Sequence, residues 1–383
     1  MKLINRIYII LLILIFTCSA CPSQPIMPQR KFVAECGSGY LEKVGPQLVL
    51  HLKGSPTEMG RQHGTLLRNH IKQNVATIEK AGMTYFGNAG VAGRIAIYSV
   101  WQQQLKYMPK RYITEMESLA KAAGIEFEQI RDANTVPEFF HCSGFALFGS
   151  ATTDGELLHG RILDYGVELG LQDHAVVIIA QPTGQIPFVN VTYAGFIGSV
   201  TGMNLKGMGF GEMGGDGQGK WDGIPMSFLM RRGMEECSTL QSARDLFRNT
   251  KRTCEYYYVI SDSNIPSALG VSATPESIEF VGPNEARGPL TEAVKDAVLL
   301  SAGDRYKLLV ERVRAKLGQI TPDACLEIMK RPVAMKSCLH AVLMAPKSRQ
   351  MWIAHATPNG DPASEQPYTY LNIRELMAKK PVH

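Results

Sequence analysis

The fold of this chain is decided by one stretch, HCSGFALFGSATTDGELLHGRILDYG, which occupies residues 141–166. Its first part is small and apolar, an Asp154-Gly155 pair favours a tight turn, and a second apolar run follows the pair. This pattern predicts two short antiparallel strands joined at the turn. The ends of such a hairpin lie side by side, so residues far apart in the stretch become neighbours in the fold.

Three chemically active side chains meet at the open end of the predicted hairpin. Cys142 begins the first strand, and the second strand carries Arg161 and Asp164 back beside it. A guanidinium favours the thiolate of a neighbouring cysteine, and a carboxylate orients an amine or water that accepts the proton. These residue types predict a nucleophile site. The alternative is that Cys142 is a small buried hydrophobic residue, which is the commoner role of a single cysteine.

The pattern Cys-Ser-x-Phe-Ala, followed by Gly-Ser-Ala-Thr-x-Asp-Gly and His-Gly-Arg-x-x-Asp, resembles the start of the mature chain in N-terminal-nucleophile (Ntn) hydrolases. The match is to the penicillin (isopenicillin N) acyltransferase-like family, and acid ceramidase and bile salt hydrolases carry similar versions. The resemblance implies an α+β fold, a four-layer αββα sandwich with a helical N-terminal segment. It also implies self-cleavage between His141 and Cys142, which frees the α-amine of Cys142. Such an amine has a pKa of ~7.7–8.0, which suits a general base.

A second stretch, GSPTEMGRQHG at residues 54–64, also resembles the opening of that family. Its chemistry predicts a helix start, because Ser55 can cap the helix, Pro56 suits its first position and Glu58 places a carboxylate in the first turn. Apolar residues then recur at intervals of three and four towards the hairpin, which predicts further helices. After the hairpin, β-branched runs bounded by Gly and Pro predict strands.

The N-terminus has the pattern of an export signal. A short basic segment precedes an apolar run at residues 7–16, which is about half of the ~20 residues that span a bilayer. We expect a signal peptide over residues 1–20 and a periplasmic or cell-surface protein. Small residues before Cys21 resemble a bacterial lipoprotein processing site. Lipidation of Cys21, which would tether the protein to a membrane, is therefore one expectation, and plain cleavage and release is the other.

Composition bounds the remaining organisation. The 383 residues are 45% hydrophobic and 20% charged, which is sufficient for a large core. We predict a tether over residues 21–47, a helical N-terminal segment over 48–141 and a catalytic segment over 142–383. The net charge is +5 and no basic run exceeds a pair, so nucleic acid is not an expected partner. No Cys-x-x-Cys pair or Cys/His quartet predicts a metal site, and no cofactor is expected.

Two positions at which similar enzymes often carry asparagines give further candidates. One family strand ends in an asparagine where this chain has Met213-Gly214, so the resemblance implies that the backbone N–H groups of Gly214 and Gly215 can serve an oxyanion hole. Another family strand often begins with an asparagine where this chain has Tyr257. The hydroxyl of Tyr257 can donate a hydrogen bond there, or the residue can serve only the sheet.

Three more polar residues are candidates for substrate or amine contacts. Asp304 and Arg305 stand where many relatives carry an Asn-His pair, and either can orient the amine or bind a substrate carboxylate. Asp304 can equally be a charge in the first turn of a helix. Asn204 lies at a predicted turn, where an asparagine either contributes to catalysis or adopts left-handed dihedrals.

The resemblance as a whole implies an exported, self-processing cysteine hydrolase made as a zymogen. Cys142 would attack a small acyl-amide substrate, its α-amine would act as base, and Arg161 and Asp164 would hold the amine and the substrate. Water or an acceptor amine would then resolve a thioester acyl-enzyme, and hydrolysis is favoured over acyl transfer. Two alternatives stay open, a non-catalytic surface lipoprotein that binds a ligand on the same fold and a phospholipase-like hydrolase of esters.

Overall fold

The computed structural model describes residues 25–85, 90–135, 141–215, 219–286 and 292–381. Within them the chain forms ten α-helices and 16 strands in two sheets. The helices are α1 (Pro56–Leu66), α2 (Arg68–Tyr85), α3 (Gly90–Leu105), α4 (Lys110–Ala123), α5 (Phe127–Thr135), α6 (Met226–Glu236), α7 (Leu240–Asn249), α8 (Gly303–Ala315), α9 (Pro322–Met329) and α10 (Ile373–Ala378). The strands are β1 (Arg30–Cys36), β2 (Gly39–Val44), β3 (Gln47–Gly54), β4 (His141–Leu147), β5 (Leu158–Asp164), β6 (Ala175–Pro182), β7 (Phe188–Tyr193), β8 (Thr201–Asn204), β9 (Met208–Gly214), β10 (Tyr256–Asp262), β11 (Ser267–Ala273), β12 (Ile278–Val281), β13 (Ala297–Leu300), β14 (Cys338–Ala345), β15 (Gln350–His355) and β16 (Thr369–Asn372).

The strands divide into a larger and a smaller sheet. The larger sheet has the order β1-β2-β3-β6-β7-β8-β9-β10-β11-β12, and only the β3–β6 pair in it is parallel. The smaller sheet has the order β13-β4-β5-β14-β15-β16. The predicted hairpin is confirmed as β4 and β5, which pair antiparallel near the middle of the smaller sheet.

The two sheets pack face to face, and residues alternate between the two sides of each strand. In β6, Val177 and Ile179 point into a core shared with Val342 and Ile353 of the smaller sheet. The intervening Ile178 belongs to a different core, on the outer side of the larger sheet. A β-branched run such as β6 is thus buried on both faces.

Helices cover both outer faces. Buried side chains of α1, α2, α4, α6 and α7 pack on the larger sheet, among them Met59, Tyr112 and Phe228. On the other side, α8 and α9 place Leu309 and Ile328 against the smaller sheet. The layer order is therefore helix, sheet, sheet, helix, and the predicted four-layer αββα sandwich, with a helical N-terminal segment, is confirmed.

The start of α1 has the predicted chemistry. The Ser55 hydroxyl accepts a hydrogen bond from the Glu58 N–H, and the Glu58 carboxylate accepts one from the Ser55 N–H at 2.7 Å, which completes a capping box. Gly60 and Gly64 lie one turn apart on the side that meets α4. A Cβ atom at Gly60 would lie 2.2 Å from the Glu115 carbonyl oxygen, so only glycine allows the two helices to approach this closely.

The tether predicted over residues 21–47 is wrong for residues 30–44. These residues form β1 and β2, an antiparallel pair on the edge of the larger sheet. Gly37 and Gly45, at φ +60° and +57°, make the turns that follow the two strands, so the glycines that suggested a tether serve a sheet. Arg30 also donates to the buried carboxylate of Glu42 at 2.7 Å, which fixes the first strand.

The predictions for the first 20 residues and for lipidation of Cys21 lie outside the described residues. Within the described part of the chain, no helix combines the length and the apolar character that crossing a membrane requires.

Candidate active site

The hairpin places Cys142 and Asp164 at the same end of the smaller sheet. In the register of β4 and β5, His141 faces Asp164 and Cys142 faces Leu163. The peptide bond between His141 and Cys142 therefore lies opposite Asp164. Only 5% of Cys142 is exposed, so the thiol is enclosed in the uncleaved chain.

The thiol is in contact with a buried cation. Nη2 of Arg161 donates to Sγ of Cys142 at 3.2 Å and to the carboxylate of Glu212 at 3.3 Å. The side chain of Arg161 is fully buried, and its Nε and Nη1 atoms have no hydrogen-bond partner among the described residues. Two nitrogen atoms of this buried guanidinium are therefore unsatisfied within the described part of the chain.

Burial controls the protonation of this cluster. It raises the pKa of the Cys142 thiol to about 11, although the charge of Arg161 works in the opposite direction. It likewise raises the pKa of the Glu212 carboxyl to about 7, against the lowering effect of Arg161. In the uncleaved chain near neutral pH, Cys142 is therefore a protonated thiol.

A second charged pair lies beside the backbone of Cys142. Arg305, at the start of α8, donates to the Asp164 carboxylate at 2.5 Å and to the Cys142 carbonyl oxygen at 3.3 Å. The other oxygen of Asp164 accepts the Met335 N–H at 2.9 Å. Burial raises the pKa of the Asp164 carboxyl, while these two donors lower it. Asp164 is thus held rigidly at the predicted cleavage position.

A cavity begins at Cys142 and extends between the two sheets. Its walls are mainly apolar and aromatic, and Glu212 is the acidic residue among them. The lining residues are Cys142, Leu163, Tyr165, Leu171, Thr192, Tyr193, Phe196, Gly198, Ser199, Val200, Glu212 and Ser227. Such a cavity, with a few polar groups at one end, suits an apolar ligand that carries one reactive group.

Several candidates from the sequence do not join this cluster. Asn204 is buried, and among the described residues its amide bonds to backbone groups alone, for example to the Met234 and Cys237 carbonyl oxygens at 2.9 and 2.7 Å. Its role in the structure is to join the turn after β8 to the end of α6. Asp304 is exposed and pairs with Lys307 at 3.0 Å, as a charge in the first turn of a helix does.

Of the two candidate backbone donors near β9, the structure gives a hydrogen-bond partner to Gly215. Gly214 pairs with Tyr256 in the ladder of β9 and β10, and the N–H of Gly215 donates to the Glu255 carbonyl oxygen at 3.1 Å. This bond occupies a donor that was predicted to serve an oxyanion. The Tyr257 hydroxyl donates to the Glu255 carboxylate at 2.6 Å, so it too is directed to a neighbour in the same strand region.

Sequence reasoning missed Glu212. The residue lies in the strand MGFGEMG, where it is the only charged residue among small and apolar neighbours. A carboxylate in a strand buried on both faces needs a cation, and this requirement could have paired Glu212 with Arg161 before the structure was known.

Comparisons with known proteins give distant relatives. No family model matches the chain. The chain is similar to protein dcd1A of Dictyostelium discoideum, at 25% identity over 367 residues that cover 84% of this chain and 82% of dcd1A. It is 27% identical to protein dcd1B of the same organism over 272 residues, 63% of this chain, and so spans about half (54%) of the length of dcd1B. The chain is also similar to the mouse N-acylethanolamine-hydrolyzing acid amidase, at 22% identity over 171 residues that cover 41% of this chain and 46% of the amidase.

Solved structures resemble the chain at low identity. The Caenorhabditis elegans ortholog of N-acylethanolamine-hydrolyzing acid amidase has a TM-score of 0.46 at 17% identity, over 54% of this chain and 93% of the ortholog. A conjugated bile acid hydrolase from Clostridium perfringens has a TM-score of 0.42 at 12% identity, over 61% of this chain and 93% of the hydrolase. Penicillin V acylase from Agrobacterium tumefaciens has a TM-score of 0.43 at 10% identity, over 61% of this chain and 87% of the acylase.

Proposed function

We propose that this protein is an exported, self-processing cysteine amidohydrolase of the Ntn type, in the acyltransferase-like family that its motifs resemble. Cys142 is the nucleophile, and cleavage of the His141–Cys142 bond produces a catalytic chain of 242 residues, 142–383. The observation that carries the proposal is the enclosed thiol, 3.2 Å from Arg161, at a peptide bond that faces Asp164. A signal peptide over residues 1–20 and lipidation of Cys21 belong to the same proposal.

Self-cleavage begins when the Cys142 thiol attacks the carbonyl carbon of His141. The peptide C–N bond breaks, and its nitrogen takes the thiol proton and becomes the α-amine of Cys142. Water then hydrolyses the thioester, which leaves a carboxylate on His141 and restores the thiol. Arg305 holds the Cys142 carbonyl group and Asp164 during this step.

Substrate cleavage uses the amine that self-cleavage produced. The α-amine takes the proton of the thiol while sulfur attacks the acyl carbon, and the proton passes to the departing amine. We assign stabilisation of the oxyanion to Arg161, because its Nη2 lies 3.2 Å from Sγ of Cys142 and its Nε and Nη1 have no hydrogen-bond partner among the described residues. Water hydrolyses the thioester and releases the acid, so that no cofactor is needed. Asp164 orients the α-amine throughout.

The cavity supports an apolar acyl group. Leu163, Leu171, Phe196 and Val200 line it, and their surfaces favour a hydrocarbon chain over a polar one. The mouse relative is an amidase that hydrolyses an N-acyl compound, as its name states, which agrees with an amide as the reactive bond. We therefore propose N-acyl amides with an apolar acyl chain as substrates.

Turnover and a trapped intermediate test this function. We expect the processed protein to hydrolyse a long-chain N-acyl amide faster than the matching ester, and mass spectrometry of the acid-quenched protein to find the acyl group on the peptide that begins with Cys142. A Cys36→Ala variant is the matched control, because Cys36 lies at the far end of β1. Faster ester turnover would favour the phospholipase-like reading, and no turnover or adduct would favour a binding module.

A further inference from the structure

One wall of the cavity is a loop that the N-terminal segment holds. This loop, which we call the cavity loop, comprises residues 194–200. Four of its residues line the cavity with Cys142, namely Phe196, Gly198, Ser199 and Val200. The loop joins β7 to β8 and lies outside the regular sheet. Buried backbone groups in such a loop need partners from elsewhere.

Two helices before the predicted cleavage point supply part of these partners. His63 of α1 accepts the Gly195 N–H at Nε2, at 3.2 Å. Asn74 of α2 donates to the Ala194 carbonyl oxygen at 2.8 Å. Both side chains are completely buried, so water does not compete for these bonds.

Asn134 of α5 holds the loop on both sides of Phe196. Its amide nitrogen donates to the Gly195 carbonyl oxygen at 2.9 Å, and its amide oxygen accepts the Ile197 N–H at 2.8 Å. The side chain is 2% exposed, and its nitrogen also donates to the Ile130 carbonyl oxygen at 2.9 Å. A single residue thus fixes the direction of the segment that presents Phe196 to the cavity.

We propose that Asn134 is a positioning residue for acyl-chain binding in this cavity. The inference rests on the proposed function, since it assumes that the cavity takes an acyl chain. Asn134 touches no substrate. It acts through Phe196, whose ring must lie in one direction for a long chain to pack against it.

Binding to the uncleaved Cys142→Ala chain tests the proposal without turnover. Titration calorimetry with hexadecanoate and butanoate measures a long and a short acyl chain on the same protein. We expect Asn134→Ala to weaken hexadecanoate binding by at least about tenfold, the effect of losing the bonds that fix a buried wall, and to change butanoate binding by less than about twofold. Asn249→Ala, at the exposed end of α7, should change neither.

The Asn134→Asp variant adds a second measurement, the pH dependence of hexadecanoate binding, which a general loss of stability would not change in the same way. Its carboxyl group can donate to the Gly195 carbonyl oxygen only when protonated, and burial raises the pKa of such a group. We expect this variant to bind hexadecanoate more tightly at pH 5 than at pH 7.5, relative to the Cys142→Ala parent. It also replaces the alanine variant if that one does not fold.

Three results would overturn the proposal: equal losses for both acids, no loss in either Asn134 variant, or no hexadecanoate binding by the parent. The proposed function is judged separately, by turnover of the processed wild-type protein. A protein that turns over amides while its Asn134 variants bind normally would retain the function and lose this inference.

Discussion

At the scale of single residues, the state of Cys142 results from a competition between burial and charge. The sequence placed Arg161 beside the thiol, which predicts a thiolate. The charge of Arg161 does lower the pKa of the thiol, but burial has the larger effect and raises this pKa to about 11. A protonated thiol is a weak nucleophile, so each proposed step gives its proton an acceptor: the peptide nitrogen in self-cleavage and the α-amine in substrate cleavage.

Glu212 gives a prediction about pH and stability. Burial raises the pKa of its carboxyl from 4.5 to about 7 in the folded chain. The stabilisation from this shift is fully present below pH 4.5 and is lost as pH rises through about 7, because only the folded state binds the proton in that range. The loss amounts to about 3 kcal/mol. We expect Glu212→Gln, made in the uncleaved Cys142→Ala chain, to remove this dependence.

Urea denaturation between pH 4.5 and 8 measures the effect as a difference in the free energy of unfolding. Glu117→Gln, on the exposed side of α4, is the matched control and should follow the parent at every pH. A difference between the Glu212→Gln variant and the parent that stays constant with pH would show that Glu212 does not titrate in this range.

The part of the site that could be predicted is the part that one hairpin brings together. Cys142, Arg161 and Asp164 lie in one stretch, so the turn at Asp154 was sufficient to place them. Glu212 comes from the other sheet, and its approach depends on how the two sheets pack, which local sequence does not encode. The sequence also could not show that the amide of Asn204 bonds to α6.

At the scale of elements, α1 shows how a short motif serves packing. Its capping box was predicted from Ser55 and Glu58, since these residues are close in the chain. The role of Gly60 and Gly64 was not predictable, because it depends on contact with α4, about 55 residues later. A capping box, by contrast, involves only residues at the start of one helix. The strands over residues 30–44 were missed for a similar reason. They are stabilised by pairing with each other and with β3, which the local sequence pattern does not show.

The contact between α1 and α4 predicts a sensitive position. Gly60→Ala would place a Cβ atom 2.2 Å from the Glu115 carbonyl oxygen, so the two helices must separate. We expect a loss of about 1–3 kcal/mol in the free energy of unfolding, the usual cost of overpacking. Thr65→Ala, on the exposed side of the same helix, should stay within about 0.5 kcal/mol of the parent in the same urea titration. Equal effects of the two changes would contradict the close packing.

At the scale of the whole molecule, a buried ion network joins the N-terminal segment to the rest of the chain. Arg231 of α6 donates to both oxygens of Glu115 of α4, at 3.0 and 2.6 Å, and to Glu235 at 2.9 Å. Arg231 also donates to the Ile197 carbonyl oxygen at 2.9 Å, so the network reaches the cavity loop. The partners lie 116 residues apart in sequence, and only the assembled fold reveals them.

Removing the cation at the centre of this network should destabilise the whole molecule. Arg231→Met removes the cation that bonds to the buried carboxylate of Glu115, a change that costs about 3–5 kcal/mol, while Glu235 keeps its bonds to Arg111 and Tyr112. Arg232→Met removes the neighbouring, partly exposed pair with Glu236 and should cost less than about 1 kcal/mol. Urea denaturation of both variants in the Cys142→Ala chain measures the difference. Similar costs would mean that the buried network does not hold the segment in place.

Intact mass combined with N-terminal sequencing of the purified protein tests the central claim most directly. We predict that the wild-type protein and a Cys36→Ala control yield a chain that begins at Cys142 and has 242 residues, while Cys142→Ala stays uncleaved. A wild-type protein that remains whole under native conditions would contradict the account, because Cys142 would then have no α-amine to act as its base.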